Sequence, residues 1–520
     1  MASTFHSIET AKRSLITQTA ALNTTGHNVA NANTPGYSRQ VVNMTAADPI
    51  DAVAFYRTTA PGQLGTGVEF NSIMRVRESF LDGQFRNENT SLGGWTIRNS
   101  TLEKLETIMN EPSDTGIRTV LNNFWNSWSD LSQDPQDVTN RKIVKETTLA
   151  LTDGLNQISL QLDALTSDLT NNVSLKTTEI NSYLQSIADL NNNIVKVEQL
   201  GDNANDLRDQ RDYAVDQLSK IAGVQITELD SGYQVTIAGQ VAVTGATVVP
   251  VTADILENAY QAGTLTGGEV YGMIHSRDQY VADYRNQINQ LANTLATGDI
   301  EITIPAGSVL PSGTVFNNVT YSDANNNRTL TSDLKVTVQG INGLHKLGYT
   351  LSGDSPTAGG DFFSTKDGSG TITAGNITLS PDIQNDPNKI ATSMRTTGTG
   401  TSESVVLGNN SLALALAGLK DAKFDFGSAL SKPTTVDDFF GAIVGQLGVQ
   451  TQEANRQAQN AQLLTEQVDL NRQSVSGVSL DEEMSNLIKF QHAYSAAARF
   501  MTAYDELLNK LINSTGVVGR

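Results

Sequence analysis

The chain has no cysteine among its 520 residues. That absence removes disulfides, zinc–thiolate sites, iron–sulfur clusters and cysteine nucleophiles together. It fits a protein that is exported unfolded and works outside the cell, and it fits chance equally well. Aromatic residues are scarce at 6%, and hydrophobic residues reach only 38%. Cores built from this composition are thin and spread along elongated bodies. No apolar run approaches the ~18 residues that a membrane-crossing helix needs, so no membrane insertion is expected. The opening MASTFHSIETAKRSLITQTAALNTTGHNVAN lacks the apolar centre of a secretory signal, because Glu9, Lys12 and Arg13 interrupt it. Basic residues are outnumbered, 35 against 55 acidic, for a net charge of −20. That field repels a phosphate backbone, so no nucleic acid partner is expected. The five histidines, His6, His27, His275, His345 and His492, are dispersed. There is no His-Glu-x-x-His pair, no phosphate-binding loop and no Gly-x-Ser-x-Gly elbow. No catalytic, metal or cofactor site is expected, and the chain does not read as an enzyme.

What is present is helical periodicity. Ile8, Leu15, Leu22 and Val29 recur every seven residues, a coiled-coil-like period. The stripe is thin, with Thr19 and Gly26 between its members, so this helix should need a partner. It ends at Asn31-Ala32-Asn33-Thr34-Pro35-Gly36, where proline disfavours helix before it and Pro-Gly turns the chain. Residues 41–80 read as extended, with turns at Pro49 and Pro61-Gly62 and with Val68, Phe70, Ser72, Met74 and Val76 in strand alternation. An aromatic knot of Phe124, Trp125 and Trp128 precedes a break at Asp134-Pro135. From Thr139 to Ile221, residues such as Leu151, Leu155, Ile158, Leu162, Leu165 and Leu169 step by four and three, with a soft spot at Gly201. This predicts long antiparallel helices side by side. Segments 268–298 and 432–476 repeat the signature, the second through Phe440, Ile443, Leu447, Ala454, Ala461 and Leu464, and should pack on them.

Residues 222–267 and 299–431 shift to Thr, Gly, Val and Asn. Val235-Thr236-Ile237 and Val336-Thr337-Val338 look like strand centres, and Asp230-Ser231-Gly232 and Asp367-Gly368 like hairpin turns. The last helix should place Leu480, Met484, Leu487, Tyr494, Met501, Leu508 and Ile512 on one stripe, with Ser479 and Glu482 as a capping box. The fold class is mixed α and β, multidomain and elongated: coiled-coil-like terminal helices and a long antiparallel helical bundle with inserted β-rich outer domains. Residues 1–60 and 477–520 form the terminal domain, and 61–221, 268–298 and 432–476 the bundle. Residues 222–267 and 340–431 form the outer β-rich domain, and 299–339 a small β-rich insert.

The stretch from Ala21 to Gln40, through Asn28-Val29-Ala30-Asn31-Ala32-Asn33-Thr34-Pro35-Gly36-Tyr37-Ser38-Arg39, resembles the N-terminal signature of flagellar rod, hook and hook-associated proteins. Tyr37-Ser38-Arg39-Gln40, Gly65-Thr66-Gly67-Val68-Glu69-Phe70 and Val478-Ser479-Leu480-Asp481-Glu482-Glu483-Met484 resemble the hook-associated members most. The resemblance implies terminal helices paired as an inner core around an axial export channel, with the long helices and then the β-domains outside. It implies export by the flagellar type III route without a cleaved signal, aided by a dedicated export chaperone at the C-terminal helix. It further implies self-association in a ring or helical layer, between the hook protein and the second hook–filament junction protein. The expected assembly interface is Ile8, Leu15, Leu22, Val29, Asn31, Asn33, Leu480, Met484, Leu487, Tyr494, Met501 and Leu508. Asn31 and Asn33 serve either binding or turn chemistry. The terminal helices are expected to order fully only on assembly, by coupled folding and binding. Gly516–Arg520 is expected to trail past the last helix. A surface adhesin acting through the outer β-domains, or another rod or hook protein, is the alternative.

Overall fold

The computed structural model describes residues 5–49, 64–111, 113–353, 355–427 and 432–514. The turn expected at Pro61-Gly62 and the tail Gly516–Arg520 lie outside the described residues. Helix α1 (His6–Ala30) is followed by an antiparallel ribbon, β1 (Gln40–Ala46) and β2 (Val68–Arg75). Helices α2 (Ser79–Met109), α3 (Ile117–Gln133), α4 (Val138–Glu198) and α5 (Asn205–Ile221) come next. A four-stranded antiparallel meander follows: β3 (Val224–Leu229), β4 (Gly232–Ile237), β5 (Gln240–Thr244) and β6 (Thr247–Val248). Then come α6 (Ala253–Gln261), α7 (Gly268–His275), a π-helical turn and α8 (Ala282–Thr297). Strands β7 (Asp299–Ile304), β8 (Thr314–Phe316), β9 (Val319–Tyr321) and β10 (Leu334–Gln339) make two pairs, β7 with β10 and β8 with β9. The chain continues through α9 (Gly340–His345), the pair β11 (Phe363–Thr365) and β12 (Ile377–Leu379), α10 (Pro381–Asn385) and α11 (Ser411–Gly418). It closes with α12 (Val436–Ser476) and α13 (Leu480–Ser514).

Two compact units result: Met1–Trp95 with Val173–Gly272 and Gln457–Arg520, and Thr96–Asn172 with Met273–Arg456. In the first, the start of α2 packs on α5. Asn89 Nδ2 donates to the Asp216 carbonyl at 2.8 Å, and Thr90 Oγ1 to the Ser219 carbonyl at 2.6 Å. A Cβ at Gly93 would lie 2.2 Å from the Lys220 carbonyl oxygen, so only glycine lets the helices approach this closely. The meander is braced by Asn191 of α4, whose amide nitrogen donates to the Tyr233 and Gly245 carbonyls at 3.0 and 2.9 Å. The periodic apolar residues Ile180, Leu184, Ile187, Ala214, Leu218 and Ile221 are buried here, as their spacing predicts.

In the second unit Leu151, Leu155, Ile158, Leu162, Leu165 and Leu169 are buried, and Arg285 of α8 donates to Thr166 of α4 at 2.9 Å. The aromatic knot is larger than its sequence suggests, because Phe362, Phe363 and His345 join it. Trp128 and Phe362 stand 5.4 Å apart, as do His345 and Phe362. Arg141 is fully buried and donates to the carbonyls of Pro135 and Ile390 and to Thr392 Oγ1.

Several expectations need correction. Alternation along β2 fails, because the register slips between Asn43 and Met44, with Asn71 as the extra residue. The bulge puts Phe70 on the face of Ile73 instead of that of Met74. Leu464 of α12 is exposed; Thr465, four residues after buried Ala461, takes the packed position. Among the described residues of 340–431, short strand pairs alternate with three short α-helices and two 3-10 turns, since glycine, asparagine and proline interrupt any longer strand.

His345 generates a pH test. Its Nε2 accepts the Ala391 amide at 2.9 Å, which leaves Nδ1–H to donate to the Gly360 carbonyl at 2.7 Å. Burial, foremost, pushes its pKa down to about 4; burial of His275, helped by nearby Arg98, does the same there. Between that value and the unfolded ~6.5 the unfolded chain binds more protons, so stability falls as pH drops through this window. The urea midpoint of the wild-type chain is expected to fall from pH 7 to pH 5, and His345→Gln, though less stable overall, to show a shallower fall. An equal slope in the variant would contradict this assignment.

Candidate assembly site

Helix α1 packs against α13 and against both strands of the β1–β2 ribbon. Its buried positions are small and polar: Ala11, Thr17, Ala21, Thr24, Thr25 and Asn28. The heptad residues Ile8, Leu15, Leu22 and Val29 are half-buried. Short side chains let two neighbours approach one helix closely, which the apolar stripe alone did not reveal. On α13 the half-buried positions include Leu487, Phe490, Ala493, Ala497, Met501, Tyr504 and Leu508, spaced by three and four. The single stripe expected there divides, because Leu480, Met484, Tyr494 and Ile512 are exposed beside it. Phe500 and Leu507 are exposed on the other flank, Leu507 at 61%. Among the described side chains of α13, Glu483 alone is buried.

The near ends of the two helices meet in a polar hub built from the signature segment. Asn28 donates to the Gln40 carbonyl at 2.8 Å and to Glu483 at 3.2 Å, while its oxygen accepts the Gln40 amide at 3.0 Å. The Tyr37 hydroxyl donates to the same oxygen at 2.8 Å, and burial, then Asp206, keeps that phenol protonated. Arg39 reaches Glu482 at 2.9 Å and Glu483 at 3.1 Å, and its amide donates to the Ser476 carbonyl at 2.8 Å. The capping box is half made: the Glu482 amide donates to Ser479 Oγ at 3.4 Å, but the Glu482 carboxylate is taken by Arg39. Asn31 does turn work, donating to the His27 carbonyl and accepting from Thr34 Oγ1, both at 3.1 Å. Asn33 is exposed. Gly36 has φ +78°, and a Cβ there would lie 2.8 Å from the Cβ of Tyr213, so the Pro-Gly turn seats on α5 only as glycine. A polar cleft of about 690 Å³ opens beside the turn, walled by Pro35, Tyr37, Tyr213, Arg472 and Ser476.

Behind the hub lies a buried charge cluster that periodicity did not expose. Asp209, Asp212 and Asp216 share one face of α5 at spacings of three and four. Arg75 pairs with Asp209 at 2.7 Å and with Asp212 at 2.9 Å. Arg77 holds Asp82 in a fork at 2.7 and 3.0 Å. Arg86 meets Asp216 at 2.8 Å, Arg472 of α12 meets it at 2.5 Å, and Tyr233 donates to Asp212 at 2.8 Å. The Ser38 amide donates to Asp209 at 2.8 Å, which ties the signature segment into the cluster. Burial works to raise the pKa of Asp212, but Arg77, Arg75 and Arg86 outweigh it and hold the carboxyl at about 2. Burial wins at Asp209, whose pKa is raised despite the Ser38 amide and Arg75. The available signal was the alternation of Arg75 and Arg77, followed by Asp82 and Arg86, where the extended segment gives way to helix.

Residues 102–298 match the family of the flagellar hook-associated protein FlgK helical domain. Residues 8–37 match the flagella basal body rod protein family, and 471–514 the flagellar basal body rod FlgEFG protein C-terminal family. These two terminal matches include Asn28, Arg472, Ser476 and Glu483. The chain is 35% identical to flagellar hook-associated protein 1 of Bacillus subtilis (strain 168) over 535 residues, covering 100% of each. The proteins of that name from Escherichia coli (strain K12) and Salmonella typhimurium are each 26% identical, covering 97% and 95% of this chain and 99% and 97% of theirs. The solved flagellar hook junction protein FlgK from Burkholderia pseudomallei has a TM-score of 0.50 at 15% identity, covering 75% of this chain and 100% of that one. The fold is therefore shared.

The cluster predicts unequal costs. Asp212→Asn leaves Arg75, Arg77 and Arg86 underpaired in a buried place and should cost about 3–5 kcal/mol. Glu482→Gln, at the solvent-facing ion pair, should cost less than about 1 kcal/mol. Because the folded pKa of Asp212 lies below the unfolded value, its contribution is present above pH ~4 and lost as pH falls toward 2. Urea melts of both variants at neutral pH, and acid melts of the wild type, check this; equal costs would refute the cluster's role.

Proposed function

The chain belongs to the flagellar hook-associated protein 1 family, and from that premise we propose that it is the structural adaptor joining the flagellar hook to the filament, needed for filament assembly. The observation that carries the mechanism is the incomplete burial of α13, a 35-residue helix with one buried side chain among those described and large apolar residues on both flanks. A helix of this kind gains most of its stability from further packing. On this reading the terminal helices finish their burial against neighbouring copies, in a ring or helical layer. Different faces of one molecule then meet, as in heterologous assemblies. Hook protein lies on one side of the layer and the second hook–filament junction protein on the other. The chain reaches its extracellular place by the flagellar export route, without a cleaved signal, and a dedicated chaperone covers the C-terminal helix beforehand. No helix among the described residues is long and apolar enough to cross a membrane. Family membership favours this role over a surface adhesin, and assembly in place of catalysis.

Cells lacking the gene should carry hooks without filaments and release flagellin into the medium, as seen by electron microscopy and immunoblotting. Normal filaments would defeat the proposal. Leu507→Asp should leave the purified chain as stable as wild type, within about 0.5 kcal/mol because the site is exposed, yet fail to restore filaments to those cells.

A further inference from the structure

The first unit carries a second exposed apolar surface away from α13. Val41 and Met74 are cross-strand partners on the outer face of the β1–β2 ribbon, and Met74 is 54% exposed. An outward face of a two-stranded ribbon is ordinarily polar. Beside it stands the turn between α4 and α5, which presents Leu200 at 84% exposure. That turn is fastened to the ribbon: the amides of Asn203 and Asn205 both donate to the carbonyl of Ile73, the neighbour of Met74, at 3.1 and 2.8 Å. The surroundings are acidic. Asp202 and Asp206 are exposed on and after the turn, and Glu69 is exposed on the ribbon, shared with Arg13 at 3.6 Å.

The far flank of α13 has the opposite character. Phe500 and Leu507 are exposed and seven residues apart. Lys489 lies eighteen residues, or five turns, before Leu507, and Lys510 lies three after it. These two and Arg499 are all the lysines and arginines of α13, and all three are exposed. Asp505 and Glu506, also exposed, precede Leu507, but around the helix Lys489 and Lys510 lie nearer the Phe500–Leu507 strip than either carboxylate. In a chain of net charge −20 that basic edge is a minority feature, and the acidic-edged ribbon surface complements it.

We propose that the two surfaces mate between copies: the Phe500–Leu507 flank of one molecule docks on the Val41–Met74–Leu200 surface of the next. The occupant is a second copy of this chain. Unlike patches that mate head to tail, each with a different neighbour, propagate a ring or a helical layer. The opposed charges select this pairing over the like-with-like contacts that the net charge disfavours. This rests on the reading that copies associate through the terminal helices, and names the surface that receives them.

The absence of cysteine makes the test clean. Cells without the native gene would express two full-length chains together, one with Met74→Cys and one with Leu507→Cys. Hook–filament structures isolated from them would be oxidised and run on a non-reducing gel. Disulfide-linked pairs of the two different chains are expected, with few pairs of like chains. Only like pairs, or a bond from Met74→Cys to another flagellar protein, would overturn the proposal. So would the lack of any crosslink in intact structures. Charge reversal gives an independent arm. Asp202→Lys should lower the mixed-pair yield about tenfold, as like charges come to face each other, and Lys510→Asp in the other chain should restore it. If Leu507→Asp abolishes filaments while Met74→Asp with Leu200→Asp leaves them normal, the terminal-helix reading stands and this docking surface is wrong. If neither change affects filaments, both fall.

Discussion

Four arginines and four aspartates, sealed within the first unit, hold the terminal segments to the helices behind them. Each group taken from water alone would be expensive, and each is tolerable only because the others are in place. Arg75 and Arg77 arrive from the end of the ribbon, Asp82 and Arg86 from α2, three aspartates from α5 and Arg472 from the end of α12. The three aspartates of α5 draw their arginines from the ribbon's end, from α2 and from α12, which holds these segments in one arrangement. The signature segment enters through the Ser38 amide on Asp209, and Arg39 carries the connection on to Glu482 and Glu483 at the start of α13. A seven-residue apolar stripe tolerates slippage by a whole repeat. Asn28, with both ends of its amide engaged by Gln40 and Glu483, does not.

The two terminal helices are therefore unlike at their two ends. Near the hub their relation is set by hydrogen bonds and ion pairs, although Leu480 and Met484 stay exposed beside it. Farther out, α13 offers Phe500 and Leu507 to whatever comes next. Anchoring within one molecule and packing between molecules fall to different chemistry: directional polar contacts where geometry must be fixed once, and adaptable apolar surface where it must be repeated along an assembly. A protein with 38% hydrophobic residues has little apolar surface to spare for its own core, and polar bracing by Asn28, Asn191 and the aspartates of α5 substitutes for it.

Much of the helical architecture was legible in advance, because burial imposes a period. Leu151 to Leu169 and Ile180 to Leu218 announced their packed faces by steps of three and four. At α13 the apolar residues cover an arc wider than one partner within the chain can bury, so Leu480 and Met484, expected on the assembly interface, face solvent in the single chain. The same rule missed α1's small buried residues, since Ala11, Thr17 and Ala21 carry little hydrophobic signal. It passed over α5, whose aspartates look like a solvated face until their arginine partners are brought from the ribbon, α2 and α12.

The order of the elements, the break at Pro35-Gly36, the absence of cysteine chemistry and the resemblance to flagellar axial proteins follow from the sequence by itself, because each depends on neighbours along the chain or on residues that are simply present or missing. The tertiary structure decided the rest. It set which charges are buried together, which asparagine braces and which only turns the chain, which face of α13 stays exposed, and where the bulge at Asn71 reverses the ribbon. Those outcomes depend on contacts between residues tens to hundreds of positions apart, such as Asn28 with Glu483 or Asp216 with Arg472. Neither local propensity nor periodicity carries information about such pairs, because the free energy that selects them arises only when both partners leave water at the same place.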